Sequence, residues 1–323
     1  MTNERSILWL HRLALAEVGL ALVTLTFGAL VTSKNAGMAF ADWPTSDGYL
    51  MVTYPWLQDF AKNWDKFLEH GHRLAGMVIG LWSILLVIMA ARLDHRRRVF
   101  LLACGILLGV ICQGLLGGFR VQLNDRGLAM LHGIFASIVF SLMGTMVAVT
   151  SRNWLNFTPP SQPVPLTGLK RMSVVLLVLV LIQYLLGSFI RHQGIGLHEH
   201  LGLGLLVLVV IAVNAGMAWR SGQRAIWKSA SWLVVIAAVQ VGLGLMSWIL
   251  RYGLPQMGYV AVADSIQQVL VRTVHMVWGT VTLMAVVVNV LKIYRAAALP
   301  AGGATPAIQD HVAAVPAARG GQG

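Results

Sequence analysis

The chain has 323 residues, 57% hydrophobic and 11% charged, with a formal net charge of +12 and a mean hydropathy of +0.72. A soluble domain carries about a quarter of its residues as charges, so a water-soluble globule is excluded and a polytopic membrane protein is implied. The positive charge lies in short segments between apolar runs, which points to membrane topology and anionic headgroups, not to nucleic acid.

Eight apolar runs approach the ~20 residues that cross a bilayer, at roughly 13–32, 70–91, 99–118, 129–150, 172–190, 197–219, 229–250 and 271–293. The expected fold class is all-α: eight transmembrane helices arranged as two tandem four-helix bundles. Residues 1–160 form the first, 161–295 the second, and 296–323, rich in Ala, Gly and Pro, are expected to be a disordered tail. The first 12 residues lack the small-residue cleavage site of a signal peptide, so span 1 is expected to remain as an anchor. The absence of an Arg- and Ser-rich transit segment favours a bacterial chain. Glu17 is an intramembrane acid in span 1.

The segment 33–68 is the longest between spans. It holds a turn-like Asp42-Trp43-Pro44-Thr45, then Trp56, Phe60, Trp64 and Phe67 in one helical stripe with charges opposite, the pattern of a helix lying in the membrane interface. Span 2 opens on Glu69-His70-Gly71-His72-Arg73. A helix places Glu69 and His72 on one face, one turn apart.

Orientation follows from the links. Those after spans 2, 4 and 6 hold Arg92, Arg96, Arg97 and Arg98, then Arg152, Lys170 and Arg171, then Arg220, Arg224 and Lys228. Together with Arg5, Arg12, Lys292, Arg295 and Arg319, that side carries most of the 24 basic residues, while most acids lie opposite. The positive-inside rule places both termini in the cytoplasm, and the localisation expected is the bacterial inner membrane. Every even span then starts at the outer face. Cys104 and Cys112 share span 3, which excludes a disulfide between outer loops.

Two patterns repeat. Gln113-Gly-Leu-Leu-Gly117, Gln183-Tyr-Leu-Leu-Gly187 and Gln240-Val-Gly-Leu-Gly244 recur near the outer ends of spans 3, 5 and 7, with the weaker Thr24-Leu-Thr-Phe-Gly28 in span 1. Small residues there let helices approach closely. His72, His132, His200 and His275 each stand at the outer end of an even span, with a small residue four positions on: Gly76, Ala136, Gly204 and Gly279. His198 rivals His200, which lies deeper and is preferred. Zinc and copper need compact donor clusters, whereas one histidine per helix suits bis-His haem in each half: His72 with His132, and His200 with His275. His70 faces elsewhere, and His11 is expected to be solvated. Arg73, Arg120, Arg126, Arg191, Arg251 and Arg272 surround the outer face, where guanidinium groups can pair with haem propionates or snorkel to headgroups.

With Glu69, His72 and Arg73 in Glu-x-x-His-Arg, the Asp-Trp-Pro-Thr of 42–45, the single histidines 132, 200 and 275, the Gln-x-x-Leu-Gly repeats and the duplication of spans, the chain resembles the haem A synthases over roughly residues 10–293. The resemblance implies oxidation of a methyl group of haem O to a formyl group by successive hydroxylations and loss of water, giving haem A for cytochrome oxidase. It implies haem O as substrate in the first half, on His72 and His132, and haem b as cofactor in the second, on His200 and His275. All four histidines would be axial iron ligands, and Glu69 would be catalytic. Implied partners are membrane lipid, a haem O synthase that supplies the substrate and an electron donor; a homo-oligomer stays open, and nucleic acid is not expected. Many members have a cysteine pair in an outer loop, and this chain has none there. Two other functions fit four histidines: a di-haem transmembrane electron carrier of the cytochrome b kind, and a haem transporter or chaperone. Leu197, three before His200, is not an acid, and this asymmetry with Glu69 favours one catalytic and one auxiliary half.

Overall fold

In lipid every backbone polar group must be satisfied within the chain, and long apolar runs do this as helices. The structure, a computed structural model, describes residues 4–157 and 166–298. Its helices are α1 (Glu4–Ser33), α2 (Trp56–Lys62), α3 (Trp64–Leu93), α4 (Arg97–Gln122), α5 (Arg126–Thr150), α6 (Arg152–Leu155), α7 (Thr167–Gln193), α8 (Leu197–Arg220), α9 (Arg224–Tyr252) and α10 (Ile266–Ala298). Eight of them are long and apolar enough to cross a membrane. Each outruns the apolar stretch read from sequence because polar caps and basic ends continue the helix: Asn63 caps α3 through Lys66 N, and Asp125 caps α5 through Leu128 N.

α1, α3, α4 and α5 pack in sequence order, and so do α7, α8, α9 and α10, consistent with two bundles; α5 and α10 meet at the seam, with α1 and α7 beside them. One apolar cluster joins Leu10, Ile79, Leu86, Ile106, Phe140 and Met146, and another joins Leu176, Val207, Ile211, Leu233 and Leu283. Leu81, Leu108, Leu205, Val209 and Leu245 point outward and exposed, as side chains facing lipid do. The boundary between residues 160 and 161 lies outside the described residues. The tail was expected from 296, yet α10 continues to Ala298; the remainder, 299–323, also lies outside them.

The aromatic stripe is not one interfacial helix. Asn63 adopts φ −149° between α2 and α3, and its side chain accepts from Lys66 N, starting a new helix. Trp56 then folds back, donating through Nε1 to Phe67 O at 2.7 Å and stacking on the Phe67 ring at 4.8 Å.

Candidate functional site

The four histidines form two pairs. His72 on α3 faces His132 on α5, with ring centroids 6.1 Å apart and planes at 86°. His200 on α8 faces His275 on α10 at 6.5 Å and 84°. Two imidazoles bonded to one ion from opposite sides at about 2 Å each would hold their centroids about 6 Å apart, so both separations fit an axial pair. No group of three or more His, Cys, Asp or Glu donors suited to a metal occurs among the described residues. The donor sets therefore suit haem iron, which takes two protein ligands, better than zinc or copper. His198 is exposed on the other side of α8, and the structure brings His200, not His198, to His275.

Each ring is seated by the preceding span, and the two sequence repeats interlock. The Cε1 edges lie over Gly28, Gly117, Gly187 and Gly244, where a Cβ would stand 2.8, 3.2, 3.2 and 3.1 Å away. His72 Nδ1 donates to Thr24 O at 3.0 Å, and the corresponding carbonyls, of Gln113, Gln183 and Gln240, are the backbone groups that the other three rings meet. In those three, Nδ1 lies outside hydrogen-bond geometry. At His72 the carbonyl at Nδ1 fixes the tautomer and leaves Nε2 as the ligating nitrogen. The glutamine side chains return the tie: Gln113 Nε2 donates to His132 O at 3.0 Å and Gln183 Nε2 to His200 O at 2.9 Å. Gln240 Nε2 lies against Gly279 and Gln183 Nε2 against Gly204, which explains the small residue four after His200 and His275; Gly76, four after His72, meets no such contact. Thr24 sends no amide across; its hydroxyl bonds Leu20 O in its own helix. Sequence reasoning took these glycines as helix contacts and missed their role as histidine seats. The signal was their constant place, four residues after the carbonyl partner on the span before each histidine.

Among the described residues, an acid is held beside the first pair and not beside the second. Glu69 is buried; Oε1 accepts from Arg73 Nη2 at 2.8 Å, and Oε2 from the amides of Ala39 (2.8 Å) and Phe40 (3.3 Å). Arg73 Nη1 also donates to Asp42 O and Thr45 O at 2.9 and 2.6 Å. His70 joins this clamp through Ser46 Oγ and Met51 O, both at 3.0 Å. The Asp42–Thr45 turn is docked on α4 with the Trp43 ring on Gly118 and Gln122 Nε2 bonded to Trp43 O at 3.2 Å. Burial alone would raise the Asp42 carboxyl, but donors at Gly48, Thr45 and Asp47 outweigh it and bring it from 3.8 down to about 2. The 36–48 segment thus forms a fixed cover at the histidine end of the first bundle.

The arginines at the histidine end divide. Arg73 is spent on Glu69 and the cover, whereas Arg120 donates to Gly37 O, and Arg191 to Ala29 O (2.7 Å) and Ser33 Oγ (3.2 Å). Arg120 and Arg191 take part in none of the three ion pairs among the described residues. Tyr184 lies between the two pairs, its hydroxyl 3.1 Å from Thr280 Oγ1 and 3.5 Å from Gly133 O. Two residues are placed differently from expectation or explained afresh. His11 is half-buried and meets Thr150 Oγ1 at 3.1 Å, and Glu17 is fully buried, with Ser83 donating to its Oε1 at 2.7 Å.

A family model described as cytochrome oxidase assembly protein matches residues 59–199, which span His72 and His132 and end one residue before His200. The chain is 26% identical to the heme A synthase of Symbiobacterium thermophilum over 273 residues, covering 73% of this chain and 85% of that one. It is 24% identical to the heme A synthase of Halalkalibacterium halodurans over 256 residues, 70% and 81% of the two chains. The match to the heme A synthase of Methylobacterium radiotolerans is 28% over 155 residues, 46% of this chain and 41% of the relative.

Proposed function

We infer that this chain is a haem A synthase, a multi-pass membrane oxidoreductase that converts haem O to haem A for cytochrome oxidase. The observation that carries the reading is the pair of equivalent histidine seats, at 6.1 and 6.5 Å, of which, among the described residues, only the first has a buried carboxylate one turn away. A di-haem electron carrier has no use for that asymmetry.

In this reading His72 and His132 hold substrate haem O, and His200 and His275 hold a resident haem b. The bound haems supply the redox chemistry by which a methyl group becomes a formyl group. The protein's part is positioning. The glycine seats and carbonyl partners set the imidazole planes. Arg120 and Arg191, lacking carboxylate partners among the described residues, are suited to the anionic propionates. The 36–48 cover, held by Glu69, Arg73 and His70, limits water at the first site. Glu69 is the catalytic group: a carboxylate held in place by three donors can stabilise positive charge that develops on the substrate edge, or pass a proton during hydroxylation and dehydration. The site faces the outer side of the bacterial inner membrane, with both termini cytoplasmic, a haem O synthase as supplier and an external electron donor.

The test is direct. The purified protein, incubated with haem O, oxygen and a reductant, should yield extracted haem A. Haem O recovered unchanged, with both haems reduced and reoxidised, would favour the electron carrier.

A further inference from the structure

At the bundle end away from the histidines, a cavity of about 980 Å³ opens between the two sets of helices, near the top of the ~300–1,000 Å³ range of small-molecule sites. Its inner wall is apolar, from Leu15 and Val18 of α1, Val147 of α5, and Met284 and Val288 of α10. Its mouth gathers Arg152 of α6, which has a partner of its own, and four further cations: Arg224 and Lys228 of α9, and Lys292 and Arg295 of α10. No Asp or Glu occurs among the described residues lining it, and none of the three ion pairs among the described residues involves these four. Arg295 is held in place over the Trp154 ring at 4.4 Å and by a 2.5 Å bond to Trp154 O. Lys228 and Lys292 make no hydrogen bond among the described residues.

Four like charges around one cavity repel each other, and an anion between them relieves that repulsion. None of the described residues lining the cavity supplies one. Free phosphate would satisfy the cations but leave the apolar wall facing water. An amphiphile satisfies both, and basic pockets between membrane helices suit acidic headgroups.

We propose that this cavity binds an anionic phospholipid, its phosphate among Arg224, Lys228 and Lys292 and an acyl chain along Leu15, Val147 and Met284. The lipid wedges the two bundles together at the end opposite the haem pairs. The inference is independent of the enzymatic reading.

Native mass spectrometry of the full chain, titrated with phosphatidylglycerol, phosphatidylcholine or glycerol 3-phosphate, tests it. The expected result is one retained phosphatidylglycerol, little phosphatidylcholine, and no displacement by glycerol 3-phosphate at matched concentration. Lys228→Gln and Lys292→Gln should each weaken retention about fivefold, and Lys292→Arg should not. Val147→Trp should block the chain with every cation intact. Arg171→Gln, a cation at the same end that does not line the cavity, should change nothing. Equal retention of the two lipids, equal loss in Arg171→Gln, or displacement by glycerol 3-phosphate would each overturn the proposal, the last by reducing it to a phosphate site.

Discussion

His72 and Gly28 fit so closely that a methyl group on residue 28 would stand 2.8 Å from the ring's Cε1, closer than real Cβ contacts come. The same seat recurs under His132, His200 and His275, so the imidazole positions depend on glycines of neighbouring helices as much as on the histidines' own.

Gly244→Ala should therefore push His275 by a few tenths of an ångström and weaken haem b retention by roughly 10–100-fold, the usual cost of disturbing a ligand's support. Gly28→Ala, with the tighter contact, should impair haem O binding and leave haem b in place. Haem content and optical spectra of the two variants check this; an unchanged Gly244→Ala spectrum would remove the seat from the argument.

Ligation gives a second expectation. The purified protein should show a low-spin bis-His haem b spectrum that His200→Ala or His275→Ala abolishes and His72→Ala largely preserves. His198→Ala, at an exposed position, should have no effect. Loss of haem in His198→Ala with retention in His200→Ala would reverse the assignment on α8.

Glu69→Gln separates catalysis from scaffolding. The variant keeps its size but loses the charge that faces Arg73 and presents an amide to Ala39 and Phe40. If Glu69 is catalytic, haem A formation should drop about 10²–10³-fold with haem b and haem O binding kept. Near-normal conversion, or a loss that tracks protease opening of residues 36–48, would leave Glu69 as the clamp of the cover.

The cover should be acid-resistant. Asp42 is lowered from 3.8 to about 2 in the folded loop, so its stabilisation is fully present above about pH 3.8 and is lost as the pH falls toward about 2. Pepsin should leave residues 36–48 intact near pH 4 in the wild type, open them only near pH 2, and cut Asp42→Asn at both. Equal cutting of the two proteins at pH 4 would show that the Asp42 contacts do not hold the loop.

Reporter fusions check the orientation. Loops 33–68 and 251–270 should report an extracytoplasmic position, and the Arg96-Arg97-Arg98 link a cytoplasmic one. The reverse pattern would move the histidine pairs to the inner face.

Much of this was readable from the chain. The spans announced themselves by length and hydropathy, and the histidine spacing named the residues that the structure brings together, because a helix turns sequence register directly into depth. The aromatic stripe misled because its period runs unbroken through Asn63, and only a side-chain cap starts the new helix there. The Glu69–Arg73 pair was visible at i, i+4, but not its burial. That comes from the amides of Ala39 and Phe40, groups every residue carries and no side-chain pattern encodes.

Thr24 stands where the other three seats have glutamine, and this difference changes how the first histidine helix is tied to its neighbour. In the α4–α5 and α7–α8 seams a side-chain amide laces the histidine helix to its neighbour, whereas α1 reaches α3 at this level through a backbone carbonyl alone. A haem that must arrive and depart with every turnover needs one ligand helix that can breathe; a permanent haem does not. In the proposed assignment, the unlaced seam falls on the transit berth.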